Sequence, residues 1–131
     1  MRVLIAEYDK PVATFVQKGL EAEQYAVDIA QDGDEAQFMV TQFEYDLAVL
    51  DLTLPRVDGL GVLRWLRQQP RFGAVPVVTV SGSADEALEQ KASALGAQSQ
   101  LRKPVAFREL VAAIEHHLEV WLHHDKLAKA A

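Results

Sequence analysis

The feature that most constrains this chain is a fivefold alternation of short apolar runs with longer segments of helical spacing. The runs are Arg2 to Ala6, Tyr25 to Ala30, Leu47 to Leu50, Val75 to Val80 and Ala97 to Leu101. Three of them read as strands covered on both faces. Tyr25-Ala-Val-Asp-Ile-Ala30 alternates instead, as a strand nearer an edge does, and Ala97-Gln-Ser-Gln-Leu101 has the weakest strand character. Between and after the runs, apolar residues recur at helical spacing. Phe15, Val16 and Leu20 form one such stripe, and Phe38, Met39 and Phe43 a second. Leu60, Leu63 and Leu66 follow, then Leu88, Ala92 and Leu95, and finally Phe107, Leu110, Val111, Ile114, Leu118 and Trp121. Strand and helix in strict alternation, with short connections, select a parallel sheet with helices on both faces, because each right-handed crossover packs back on the sheet. The expectation is an α/β three-layer sandwich of five parallel strands and five helices.

Turn chemistry marks the boundaries: Asp32-Gly33 before the second helix, Asp58-Gly59 before the third, Ser83 or Asp85 opening the fourth and Gly96 closing it. With 131 residues the chain suits one domain, 1–131, in which Trp121 to Ala131, carrying Lys126 and Lys129, is a helical extension past the core. The apolar start Val3-Leu-Ile-Ala6 is cut by Glu7, and no run of about 18 apolar residues exists, so neither a membrane span nor a signal-peptide core is expected. A cytoplasmic location follows as an expectation. The absence of cysteine agrees with a reducing compartment and removes disulfides, thiolate metal sites and cysteine nucleophiles. A net charge of −6 argues against direct binding of a nucleic-acid backbone, which relies on clustered Lys and Arg.

In open α/β sheets, ligands bind outside the carboxyl ends of the strands. The residues there are Glu7 and Asp9 after the first run, Asp51 after the third, Ser81 after the fourth and Lys103 after the fifth. Grouped carboxylates attract a hard divalent cation, and Mg²⁺ commonly takes one or two carboxylates plus water and phosphate oxygens. Phosphoryl transfer asks for positioning and charge stabilisation, so a carboxylate, a metal, a Lys and a hydroxyl form a sufficient set.

Four stretches carry a family resemblance: Arg2-Val-Leu-Ile-Ala-Glu-Tyr-Asp-Lys-Pro11, Tyr45 to Gly59 with its Asp51-Leu-Thr-Leu-Pro-Arg-Val-Asp-Gly59 end, Pro76-Val-Val-Thr-Val-Ser-Gly82, and Lys103-Pro104. Together they resemble the signature blocks of response-regulator receiver domains of bacterial two-component systems, over residues 2 to about 120. The resemblance implies a flavodoxin-like fold with strand order 2-1-3-4-5. It also implies a phosphoacceptor rather than an enzyme: Asp51 receives a phosphoryl group from a histidine kinase or phosphotransfer protein, with Mg²⁺ required. In that scheme Lys103 binds a phosphoryl oxygen, the Ser81 hydroxyl swings toward the phosphoryl group, and Glu7, Asp51 and the Thr53 carbonyl hold the metal. Thr53 and Ser83 stand where the family tunes hydrolysis, and the Lys103-Pro104 bond is expected to be cis. Partners implied are a downstream protein or fused output domain; a homodimer through the fourth and fifth helices is a family habit, to which Trp121-Leu122 offers apolar surface.

Two positions depart from the family pattern. Its first strand ends in two adjacent acids, the second of them a direct metal ligand, whereas this chain has Glu7-Tyr8. A phenol does not replace a carboxylate for a hard cation, and losing one unit charge about 4 Å from the ion removes on the order of 1 to 4 kcal/mol of attraction. Asp9, next in the same turn, is the candidate to compensate. Gln100 stands three residues before Lys103, where the family commonly has an aromatic switch residue. These departures motivate an alternative reading, a phosphorylation-independent pseudo-receiver that serves as a docking or dimerisation module. A hydrolase using Asp51 as nucleophile fits less well, since no histidine lies near a strand end. Asp58 reads as a helix cap only. The spacing of seven between His116-His117 and His123-His124 does not suit helical metal ligands, so a solvated face is expected there. Trp65 and Trp121 read as packing or interface residues.

Overall fold

A computed structural model describes residues 1–82 and 86–130, with side chains described as far as His123. In chain order it contains β1 (Arg2–Ala6), α1 (Lys10–Ala22), β2 (Ala26–Ala30), α2 (Gly33–Gln42), β3 (Leu47–Asp51), α3 (Gly59–Gln68), β4 (Val77–Ser81), α4 (Glu86–Ala94), β5 (Ser99–Arg102) and α5 (Phe107–Ala130). All pairings are parallel and the sheet order is β2-β1-β3-β4-β5, so the alternating run and the weak run are the two edges.

The last two strands start two residues later than their runs. Pro76 has no N–H to give to a ladder and contributes only its carbonyl, to Ala48 N at 3.0 Å. Ala97 N instead donates to Ala92 O at 3.1 Å, which closes the turn after α4. Conversely, β3 and β4 run one residue further and end on Asp51 and Ser81 themselves. Both side chains are thereby anchored by strand backbone, with Leu52 N bonded to Val80 O and Lys103 N bonded to Ser81 O.

Alternate residues of the central strands face opposite layers. Leu4, Ala48, Leu50 and Val77 pack with α2, α3 and α4 through Ala36, Val40, Val62, Leu63, Leu66 and Ala92. Val3, Ile5, Leu47, Val49, Val78 and Val80 pack with α1 and α5 through Leu20, Leu110, Ile114 and Leu118. Each fully buried Leu or Ile contributes about 1.5 to 3 kcal/mol. Trp65 and Trp121 are partly buried packing residues, and Trp121 is the last described side chain of α5 to reach the core.

Of the stripes predicted for α1 and α2, Val16, Leu20 and Met39 reach the core as expected, whereas the phenylalanines are turned outward. Phe15 is 66% exposed and Phe38 63% exposed, while Ala13 and Leu20 of α1 and Gly33, Ala36 and Val40 of α2 make the buried lines. Close approach decides this: a Cβ on Gly33 would lie 1.9 Å from the Val57 carbonyl oxygen, so α2 enters against the turn after β3 on its small residues. That contact ties the second helix to the loop that follows Asp51. Asp32 and Asp58 cap α2 and α3, accepting from Glu35 N and Gly61 N at 2.7 Å each. Gly96, with φ +84°, closes α4 as expected. Ser83 and Asp85, expected at the start of α4, lie outside the described residues, as do the side chains of His124, Lys126 and Lys129. Among the described residues no helix is long and apolar enough to cross a membrane.

Candidate functional site

Three predicted residues meet at the carboxyl edge of the sheet. Glu7 follows β1, with its N–H bonded to Ala30 O at 2.9 Å, and Asp51 ends the adjacent strand β3. Both carboxylates are buried, at 5% and 4% exposure. Lys103, just past β5, reaches over them: its Nζ lies 2.8 Å from Asp51 Oδ2 and 3.0 and 3.4 Å from the two oxygens of Glu7. The Lys103-Pro104 peptide is cis. Gly59 brings α3 against the end of β3, because a Cβ there would lie 2.3 Å from the Asp51 carbonyl oxygen.

Thr53 makes two further hydrogen bonds to Asp51. Its backbone N–H and its hydroxyl both donate to Oδ1, at 2.9 and 2.8 Å. Residue type alone did not reveal the hydroxyl contact; the signal available was a hydroxyl two residues after a carboxylate, the spacing of a turn in which a side chain bonds its own backbone. Ser81 is buried at the end of β4, one strand over.

The other acidic candidate is placed differently. Asp9 is exposed and caps α1, accepting from Val12 N at 3.2 Å. Tyr8 is 65% exposed on the rim. Among the described residues no group of three or more His, Cys, Asp or Glu side chains gathers as a metal cluster. Two buried carboxylates and the Thr53 carbonyl still fit an ion that needs one or two carboxylates, with Lys103 standing between them.

Charge is unequally shared in this pocket. Burial pushes the Glu7 carboxyl up to about 7, reinforced by Asp51 and opposed by Lys103. Burial also acts to raise Asp51, but hydrogen bonds from Glu7, Lys103 and both Thr53 donors outweigh it and hold Asp51 at about 2. For Lys103 burial is likewise outweighed, by Asp51 and Glu7, so its ammonium is held above the usual range. Asp51 is thus the ionised carboxylate and Glu7 the one that takes a proton near neutrality.

Beside these groups a cavity of about 640 Å³ runs between α1 and α5. Its walls are largely apolar, with Val12, Phe15 and Phe107 toward the outside and Glu7, Asp51 and Lys103 at its polar end. Phe15 and Phe107 meet edge to face at 6.0 Å, and Gly19 leaves room for the Phe107 ring. Gln100 is half-buried and donates to Ala97 O at 3.0 Å. His117 corrects the expected solvated face: it is half-buried, its Nε2 lies 2.7 Å from Ser99 Oγ, and burial lowers its pKa. His116 and His123 are exposed.

A parallel five-stranded sheet in this order, with an acidic strand end bridged by a lysine, matches one class of signalling domain. The sequence model of the response regulator receiver domain covers residues 3–115, and the chain belongs to that family. The transcriptional regulatory protein CusR of Escherichia coli K12 is 33% identical over 114 residues, which are 87% of this chain and 49% of CusR. The chain spans about half the length of the curated relatives it matches. Among solved structures, the receiver domain of the Francisella response regulator 1452 is 29% identical with a TM-score of 0.83, over 90% of this chain and 96% of that one. A CheY-like receiver domain from Methanospirillum hungatei JF-1 is 25% identical with a TM-score of 0.89, over 94% and 97% of the two chains. The family match runs through Tyr8, and nothing in these comparisons supports the pseudo-receiver reading. The relatives are named transcriptional regulators; the net charge of this chain concerns its own surface and does not exclude nucleic-acid binding by the part of those proteins it does not match.

Proposed function

We propose that Asp51 accepts a phosphoryl group from the phosphohistidine of a sensor kinase or phosphotransfer protein, and that the acyl phosphate shifts a two-state surface toward a downstream partner or output domain. The observation that carries this reading is the Lys103 ammonium 2.8 Å from a buried, ionised Asp51 at a strand mouth. In the transfer an Asp51 oxygen forms the new O–P bond as the N–P bond to the donor histidine breaks, and the histidine nitrogen keeps the electron pair. Lys103 follows the incoming charge from carboxylate to phosphoryl oxygen, and Ser81 approaches the same group from β4. Glu7, Asp51 and the Thr53 carbonyl would hold Mg²⁺, which when bound neutralises phosphoryl charge. The apolar rim of Val12, Phe15 and Phe107 supports docking of a donor helix beside Asp51. Turnover is limited to self-catalysed gain and loss of the phosphoryl group, and the reading places the chain in the cytoplasm.

The test is the intact mass after incubation with acetyl phosphate and Mg²⁺. A single phosphoryl adduct on the native chain, absent from Asp51→Asn, is the expected result. An adduct that persists in Asp51→Asn, or none on the native chain at high Mg²⁺, overturns the assignment.

A further inference from the structure

We propose that the cavity between α1 and α5 selects among small phosphodonors, and that the donor it favours is an acyl phosphate whose acyl group is an apolar chain. This rests on the reading of Asp51 as phosphoacceptor and names the class of small donor that the same site takes. The cavity of about 640 Å³ opens on Asp51 and lies within the range of about 300 to 1,000 Å³ usual for small-molecule sites. Four of its described lining residues are charged, Glu7, Asp9, Asp51 and Lys103, and all the others are apolar. Lys103 is the one cation among them, with its ammonium 2.8 Å from Asp51 and a third of its side chain in solvent. An anionic phosphoryl group therefore has a single attractive place in the cavity, beside the carboxylate that attacks it.

The apolar wall then decides what the rest of the donor can be. Away from the charged end the donor meets Val16 of α1, Leu110 of α5 and Val105 between β5 and α5, with Val12 and Phe107 nearer the outside. No side chain there carries a hydrogen-bonding group, so a sugar or nucleoside body would give up water without replacement. The product at Asp51 is itself a mixed anhydride of a carboxylic and a phosphoric acid, and only a donor of similar transfer potential can form it, which excludes phosphate esters. An apolar acyl phosphate meets both conditions. An Asp51 oxygen forms the new O–P bond, the bond from phosphorus to the acyl oxygen breaks, and the donor leaves as a carboxylate that keeps the electron pair; no proton has to move. A protein donor rests on the outer rim of Val12, Phe15 and Phe107, whereas an acyl chain follows the cavity down to Val16 and Leu110.

The experiment follows the intact mass of the native chain with acetyl, butyryl and hexanoyl phosphate at equal, subsaturating concentration and fixed Mg²⁺. The three leaving carboxylates are nearly equal in basicity, so intrinsic reactivity stays constant while the chain grows by two methylenes at a time. One fully buried methylene corresponds to about a fourfold change, so chains half covered by the cavity should raise the labelling rate about fourfold at each step. Val12 is exposed enough for both Val12→Leu and Val12→Asp to fold. Val12→Leu should keep the series, and Val12→Asp should flatten it to less than about twofold per step. Each protein is compared only with itself, so a general loss of activity or of folded chain cancels. Equal or falling rates along the series on the native chain overturn the selection and leave Asp51 as phosphoacceptor. A rise that survives Val12→Asp does the same, because it places the acyl chain outside the cavity. No adduct from any of the three donors, or one that persists in Asp51→Asn, removes the phosphoacceptor reading and this inference with it.

Discussion

The ammonium of Lys103 lies between two buried carboxylates, 2.8 Å from Asp51 and 3.0 Å from Glu7, although it is 52 and 96 residues from them along the chain. Removing it leaves two acids facing each other with no cation. Breaking a fully buried pair costs about 3 to 5 kcal/mol, and with a third of the Lys103 side chain in solvent the expected loss for Lys103→Met is about 1 to 3 kcal/mol. Urea unfolding measures it. Adding Glu7→Gln should recover part of the loss, since the two sites are in contact and not additive.

Stability should depend on pH through Glu7. Its carboxyl is at about 7 in the folded chain against an ordinary 4.5, so the unfolded state gives up its proton first. The contribution of Glu7 to stability is complete below about 4.5 and is lost as pH rises to about 7. Asp51 has the opposite sign, but its window lies between about 2 and 3.8 and does not overlap. Glu7→Gln should therefore be more stable than the native chain at alkaline pH, by about 1 to 3 kcal/mol, with the difference shrinking toward pH 4.5. A difference that stays flat across this range would show that Glu7 is not protonated by the fold.

Tyr8→Asp should strengthen Mg²⁺ binding. Tyr8 follows Glu7 on the exposed rim, so an acid there can approach the ion without losing its hydration first. One extra unit charge about 4 Å from the ion contributes on the order of 1 to 4 kcal/mol, a tenfold to several-hundredfold gain in affinity. Calorimetry on the two proteins decides it.

Phe15→Glu should separate docking from chemistry. The ring is 66% exposed, so folding should change by less than about 1 kcal/mol, and labelling by acetyl phosphate should persist. Transfer from a phosphorylated protein donor should slow at least tenfold if the apolar rim seats that donor. Equal transfer rates would move the docking surface elsewhere.

Much of this architecture was legible because its signals are local. Apolar runs of strand length, the caps Asp32 and Asp58 and the turn at Gly96 depend on neighbours a few residues away; the caps and the turn appear where the pattern put them, and the strands to within two residues. The phenylalanines of these stripes misled because apolar spacing locates the buried face of a helix only approximately, so Val16, Leu20 and Met39 turn inward while Phe15 and Phe38, at its margin, do not. Small residues take buried positions beside them at Ala13 and Ala36. Asp9 illustrates a different competition: a carboxylate beside the metal region is also a carboxylate before a helix, and the structure uses it as a cap.

From the sequence alone it follows that Glu7, Asp51, Ser81 and Lys103 lie at the carboxyl ends of strands, because alternation makes the sheet parallel and sends every such end to one edge. Only the tertiary structure decided which of them touch. Lys103 reaches both acids because the chain crosses from β4 to β5 in register. Arg67 of α3 reaches the carbonyls of Val75 at 2.7 Å and Gly96 at 2.8 Å because the turns that lead into the neighbouring strands β4 and β5 close around it. Such contacts depend on strand order, register and helix distance, which arise when distant segments pack and leave no trace in the spacing of neighbouring residues.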